Sequence, residues 1–266
     1  MGGSIRAQGT EPAQTHGGVR IAGVDVSAVD MDRALEVLGS HIRDRRRGYV
    51  CVSDVHSLMR ASRDPQLREV FSRAVLTTPD GMPLVWAGRR AGAANMGRVC
   101  GPDLLPALLA AGLEHGWKSH FVGGRPEVVA ALRANLERMV PGVDITGMVS
   151  PPFRTLSKEE DAALVDEINA AGPDIVWVGL GAPKQEYWMA EHRDSLNAPL
   201  LIGVGAAFDM HAGNIPRAPG WMRKYGLEWL FRFSKEPRRL WRRYLSTIPG
   251  FVFALLKQKP RLVPPQ

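Results

Sequence analysis

Asp174-Ile175-Val176-Trp177-Val178-Gly179-Leu180-Gly181-Ala182-Pro183-Lys184-Gln185-Glu186 reads as a strand, a glycine-rich turn and the start of a helix. The apolar run Ile175–Val178 has the length of a buried strand, and Tyr187 to His192 continues as a helix. A strand that turns through glycines into a helix presents free backbone N–H groups and the positive end of the helix dipole to an anion. Pro183 suits the first helical turn, where its missing N–H costs nothing. Lys184 adds positive charge, and the Gln185 amide can both donate and accept, as recognition of a base or sugar requires. Glycines at strand ends also serve tight packing, so the turn alone leaves both roles open.

The same pattern recurs on either side. Tyr49–Val52 is a buried strand that ends in the polar run Ser53-Asp54-Val55-His56, and Val75–Thr78 is another, ending in the turn Pro79-Asp80-Gly81-Met82-Pro83. Lys118–Val122 runs into Gly123-Gly124-Arg125-Pro126 and a helix. Asp144–Val149 is a further strand, and Leu200 to Gly205 leads into Ala206-Ala207-Phe208-Asp209. Strands alternating with helices predict an α/β fold, a Rossmann-like, mainly parallel sheet with helices on both faces, whose ligands bind beyond the carboxyl ends of the strands. Asp80, in a tight turn at such an end, reads equally as a turn aspartate or as a working acid. Val19 to Val26 reads as a short strand or hairpin. Asp30-Met31-Asp32 resembles an Asp-x-Asp metal signature, but acids at the start of a helix act as caps, and no metal is expected.

Composition bounds the function classes. The 266 residues are 45% hydrophobic and 23% charged, as in a globular domain with an appendage, and the net charge of +7 suits phosphate-bearing ligands or an anionic membrane. The two cysteines, Cys51 and Cys100, read as buried reduced thiols, too few for a disulfide framework or a zinc site. Residues 1–18 lack an apolar core and read as a disordered leader, residues 19–215 as the catalytic core, and 216–266 as a helical, membrane-associating appendage. In that appendage Arg238 and Arg242, like Arg239 and Arg243, stand at i, i+4 among Trp229, Phe231, Phe233, Trp241 and Tyr244. Basic and aromatic residues interleaved on a helix suit a diphosphate clamp, an anionic membrane surface, or both. No nucleic-acid motif accompanies them, and no nucleic-acid partner is expected.

Taken as a set and in order, Pro79 to Trp86, Gly101-Pro102-Asp103-Leu104, Phe121-Val122-Gly123-Gly124, Val178 to Trp188, Gly203 to Gly213, Arg217-Ala218-Pro219, Gly226 to Leu230 and Glu236-Pro237-Arg238-Arg239 resemble the WecG/TagA/CpsF glycosyltransferases, glycosyltransferase family 26. The resemblance runs from about Gly23 to Tyr244. It implies inverting, metal-independent transfer from a UDP-sugar to a polyprenyl-diphosphate-linked saccharide, as in teichoic acid, enterobacterial common antigen or exopolysaccharide synthesis, by a cytoplasmic protein peripheral on the inner membrane face. No cofactor is implied. Asp80 falls on the proposed base, Arg98 on a basic residue near the donor, and Gln185 on a nucleotide contact. Arg238, Arg239, Arg242 and Arg243 fall on the appendage arginines, with Arg238 and Arg242 counted as catalytic. The motif positions Asp103, Gly123, Gly124, Gly179, Gly181, Lys184, Glu186, Asp209 and Arg217 join the expected substrate-binding set. This chain has Val52-Ser53-Asp54 where many relatives carry Thr-x-Asn, so Ser53, Asp54 and His56 are expected to make the substrate contacts there. An apolar surface uncovered by a mobile appendage would permit a homo-oligomer. The other class considered, a dinucleotide-binding oxidoreductase, rests on Gly179-Leu180-Gly181 and Gly203-Val204-Gly205, neither of which has the third glycine or the distal acid that class needs.

Overall fold

The computed structural model describes residues 17–265, the side chain of Arg239 apart, so nearly all of the expected leader lies outside the described residues. The hairpin read at Val19–Val26 is present as β1 (Gly18–Ile21) and β2 (Val24–Ser27), turned through Ala22 and Gly23 at positive φ. α1 (Met31–Arg43) follows, and the Asp30 carboxylate caps it by accepting the Arg33 N–H at 2.9 Å. Strands and helices then alternate: β3 (Gly48–Ser53), α2 (Val55–Ala61), α3 (Pro65–Ser72), β4 (Leu76–Pro79), α4 (Met82–Arg90), α5 (Gly101–Leu113), β5 (Lys118–Gly123), α6 (Pro126–Met139), β6 (Asp144–Val149), α7 (Lys158–Ala171), β7 (Ile175–Gly179), α8 (Lys184–His192), β8 (Leu200–Gly203) and α9 (Ala207–His211). The chain finishes with α10 (Gly220–Lys224), α11 (Glu228–Lys235), α12 (Pro237–Lys257) and β9 (Arg261–Val263).

Six strands form one parallel sheet in the order β4-β3-β8-β7-β5-β6. A parallel strand buried on both faces must be apolar at successive positions, which is how β3, β7 and β8 read. Tyr49, Cys51, Val176, Val178 and Leu201 join the core on one face with Leu58 of α2, Leu67 and Phe71 of α3, and Met189 of α8. Val50, Val52, Ile175, Trp177 and Ile202 join the core on the other with Leu38 of α1, Leu104 and Leu105 of α5, and Leu132 of α6. Cys51 and Cys100 are free thiols, both buried.

The strand order settles where the connections diverge. β5 leads outward to β6, whereas its neighbour β7 leads inward to β8, so the crevice of a doubly wound sheet opens between β5 and β7. The paired glycines Gly123 and Gly179 close its floor. Gly123 has φ +120, and a Cβ on it would lie 2.6 Å from the Gly179 carbonyl carbon; one on Gly179 would lie 2.4 Å from Phe208 Cδ2. Close packing therefore accounts for these two glycines, whereas Gly181, at φ +78, faces open space.

Past α9 the chain packs back over the carboxyl ends of the strands. Leu240, Thr247 and Phe251 of α12 are buried, α12 lies along α2, and β9 pairs antiparallel with β1 to complete a second, three-stranded sheet.

Candidate active site

Two adjacent strands deliver two aspartates. β3 and β4 pair Ser53 with Pro79, so Asp54 and Asp80 leave the sheet side by side, and the Asp80 N–H donates to the Ser53 carbonyl at 2.9 Å. Asp54 caps α2 by accepting the Ser57 N–H at 2.8 Å, and its other oxygen accepts from the Arg243 guanidinium of α12. Burial raises the Asp54 carboxyl, but Arg243 and the Ser57 N–H outweigh it and hold the group below its usual range. Asp54 is therefore an anion occupied by a cap and an ion pair.

Asp80 is different. Burial pushes it up from 3.8 to about 6, helped by the Asp54 and Glu228 carboxylates and opposed by Arg98 and Arg232. Its side chain nonetheless keeps 31% of its surface exposed, so it can be reached from outside. Arg98 braces it: Nε donates to the Asp80 carbonyl at 2.8 Å, and Nη2 donates to Glu228 Oε2 at 2.5 Å while standing 3.7 Å from Asp80 Oδ1. A carboxylate titrating near neutral pH within reach of substrate has the character of a general base.

A second cluster lies at the start of α5. Asp103 accepts from Arg217 at 2.8 Å and from Arg223 at 3.3 Å, and the Cys100 thiol donates to its other oxygen at 2.9 Å. The buried Nε atoms of Arg217, Arg223 and Arg232 have no partner among the described residues. Each of these three guanidinium groups thus keeps one donor without a partner among the described residues. On α8, Gln185 and Glu186 are buried, the Gln185 amide donating to Glu186 at 3.0 Å. Burial pushes Glu186 up to about 7, and Gln185 Oε1 and Glu186 Oε2 are unpartnered among the described residues. Lys184 is exposed, Ser53 is buried at the end of β3, and Asp209 is half-buried on α9. Gly124, at φ +77, precedes α6, and a Cβ added to it would stand 3.5–3.7 Å from Val128, Val129 and Phe208. His56 ties α2 to α12, with Nδ1 3.0 Å from Thr247 Oγ1.

The arginines of α12 face different ways. Arg238 and Arg242 are exposed, and the Arg242 guanidinium lies 5.4 Å from the Trp241 ring centre. The inward face of α12 is set by Leu240, Arg243, Thr247 and Phe251, so residues one position off that row turn outward. The guanidinium from this stretch whose charge bears on Asp80 is Arg232, on α11. The side chain of Arg239 lies outside the described residues. Arg223, Glu228 and Arg232 were not singled out as site residues in the sequence. The available signal was Glu228, an acid one turn before Arg232 within an otherwise basic and aromatic helix.

Carboxylates and guanidiniums gathered over the carboxyl ends of a parallel sheet make the candidate active site of an α/β protein. The profile of the "Glycosyl transferase WecG/TagA/CpsF family" matches residues 19–263, and the chain belongs to that family of glycosyltransferases. It is 30% identical over 234 residues, covering 86% of this chain and 88% of the relative, to the N-acetylglucosaminyldiphosphoundecaprenol N-acetyl-beta-D-mannosaminyltransferase of Bacillus spizizenii.

Proposed function

We propose that the protein transfers a sugar, with inversion, from a UDP-sugar to a saccharide carried on polyprenyl diphosphate. The observation that carries this is Asp80, a reachable carboxyl raised to about 6 and surrounded by arginines. In the proposed step the acceptor hydroxyl oxygen bonds to the anomeric carbon as its proton passes to the Asp80 carboxylate. The bond from that carbon to the UDP oxygen breaks, and its electron pair leaves on the diphosphate. Arg217, Arg223 and Arg232, with unpaired Nε donors, would meet that charge, so no metal is assigned to the step. Gln185 and Glu186 offer buried acceptors to the N–H and O–H groups of a nucleoside. The name of the Bacillus spizizenii relative supports an acceptor in which a sugar is linked through diphosphate to a polyprenol.

In this reading residues 19–215 are the catalytic core and residues 216–266 the appendage that meets the inner face of the cytoplasmic membrane. Trp241, Leu245, Ile248, Val252 and Leu256 form an exposed apolar stripe along α12, with Arg238 and Arg242 exposed beside it. No helix among the described residues is long and apolar enough to cross a membrane. Calorimetric titration with UDP in EDTA tests the reading. Binding without added metal is expected; binding that requires Mg²⁺, or binding of NAD in place of UDP, would refute it.

A further inference from the structure

A transfer between two diphosphate esters needs two anion sites, and the arginines around Asp103 account for one. A cavity of about 270 Å³ opens between α2 and α12, lined among others by His56, Arg60, Arg63, Asp64, Ser246 and Thr247. It lies on the opposite side of the sheet from α5, because α2 packs on the core that holds Leu58 and α5 on the core that holds Leu104. Its near end is His56, two residues beyond Asp54; its far end is Arg63, just past the C-terminal end of α2.

Neither the Arg60 nor the Arg63 guanidinium makes a hydrogen bond or a salt bridge among the described residues. Arg63 reaches across to α12, where a Cβ added to Gly250 would stand 2.9 Å from its Nη2. The one acid in the lining is already committed. Asp64 Oδ1 accepts the Gln66 and Leu67 N–H groups at 3.0 and 3.2 Å, and Oδ2 accepts the Tyr187 hydroxyl at 2.8 Å. Ser246 and Thr247 add hydroxyls from α12. The result is a crevice with two exposed guanidiniums that make no hydrogen bond among the described residues, the Arg60 charge bearing on Asp64 and Glu186, and it leads from the aspartate pair to the helix that carries the apolar stripe.

We propose that this crevice seats the diphosphate of the acceptor, with Arg60 and Arg63 as its charge-assisted donors. The proposal rests on the glycosyl-transfer reading above. Its geometric content is order: an acceptor presents in turn a sugar hydroxyl, a diphosphate and a prenyl chain. The protein presents in the same order Asp80, the Arg60–Arg63 crevice and the exposed face of α12. Both arginines are exposed, and guanidinium forks match phosphate oxygens in pairs.

The test uses the full chain as Arg60→Ala/Arg63→Ala, with Arg60→Lys/Arg63→Lys as the charge-preserving control. The first readout is KM for a short-chain prenyl-diphosphate saccharide against KM for an alkyl glycoside of the same saccharide. The alanine pair is expected to raise the former about tenfold or more and leave the latter unchanged, with partial recovery in the lysine pair. UDP affinity and sedimentation with acceptor-free phosphatidylglycerol vesicles should be unchanged. An unchanged KM for the diphosphate acceptor overturns the proposal. A matching loss of UDP affinity makes the crevice part of the donor site, and a matching loss of vesicle binding makes it a contact for bulk acidic lipid; either also overturns it. If no acceptor is turned over, the transfer reading fails, and titration with inorganic pyrophosphate isolates the crevice. Weaker pyrophosphate binding in the alanine pair would uphold a diphosphate site there, and equal binding would reject one.

Discussion

At Asp80 burial and function pull against each other. Taking a carboxylate out of water costs free energy unless it is paired, and Arg98 stands too far from Oδ1 to pair fully. Two consequences follow. Turnover should rise as pH increases through about 6, where Asp80 loses its proton, and Asp80→Asn should abolish turnover while leaving UDP affinity within about a few fold. A pH–rate profile with calorimetry checks both, and loss of UDP binding would instead place Asp80 in the donor site. Stability should run the other way. Asp80 and Glu186 hold their protons more tightly folded than unfolded. Their contribution is complete below about pH 4 and is lost as pH rises through about 6 for Asp80 and about 7 for Glu186. Asp80→Asn should therefore stabilise the fold at about pH 8 by on the order of 1 kcal/mol, because part of the carboxyl stays wet, seen as a higher Tm, with little effect near pH 4. Thermal melts at the two pH values decide it; equal Tm changes at both would refute the linkage.

Among the elements, β5 and β7 are held together by what their last residues lack. A methyl on Gly179 would enter the ring of buried Phe208, and one on Gly123 would enter the Gly179 backbone. Gly179→Ala should cost ~1–3 kcal/mol through overpacking, read as a lower denaturation midpoint with an unchanged slope. An unchanged midpoint would mean that Phe208 can move aside. α12 is fastened differently. The Arg243–Asp54 pair is about one-third exposed at each end, so it contributes ~1 kcal/mol or less to stability. Its effect is positional, since it sets α12 beside α2 together with the His56–Thr247 contact. Arg243→Ala should accordingly lower turnover more than Tm; a large Tm loss with normal turnover would make the pair a structural one. The elements themselves were legible beforehand. Continuous apolar runs, period-3.6 patterning, capping aspartates and glycine punctuation placed the strands, helices and turns of the sheet close to where they lie. The short β9 escaped, because three residues carry too little pattern to distinguish a strand from a tail.

In the whole molecule, the face of α12 turned away from α2 exposes Trp241, Leu245 and Leu256, beside exposed Trp229 and Leu230 of α11. Leu245→Glu/Val252→Glu should abolish sedimentation with phosphatidylglycerol vesicles without lowering Tm, and retained binding would refute a membrane role for this face. Light scattering with and without vesicles would show whether the same face also joins two copies. The residue pattern was enough to establish an alternating α/β chain, the strand-end position of Asp80 and a basic, aromatic C-terminal stretch, because each depends on local spacing along the chain. It could not say which face of α12 turns inward, that Arg243 rather than Arg238 or Arg242 reaches an aspartate, that Arg232 and Glu228 attend Asp80, or that Gly123 and Gly179 are packing residues. Those depend on contacts between segments about 30 to 190 positions apart, from Gly179 and Phe208 at the near end to Asp54 and Arg243 at the far one. Such contacts are fixed by the sheet order and by the burial of Leu240, Thr247 and Phe251, which no local spacing encodes.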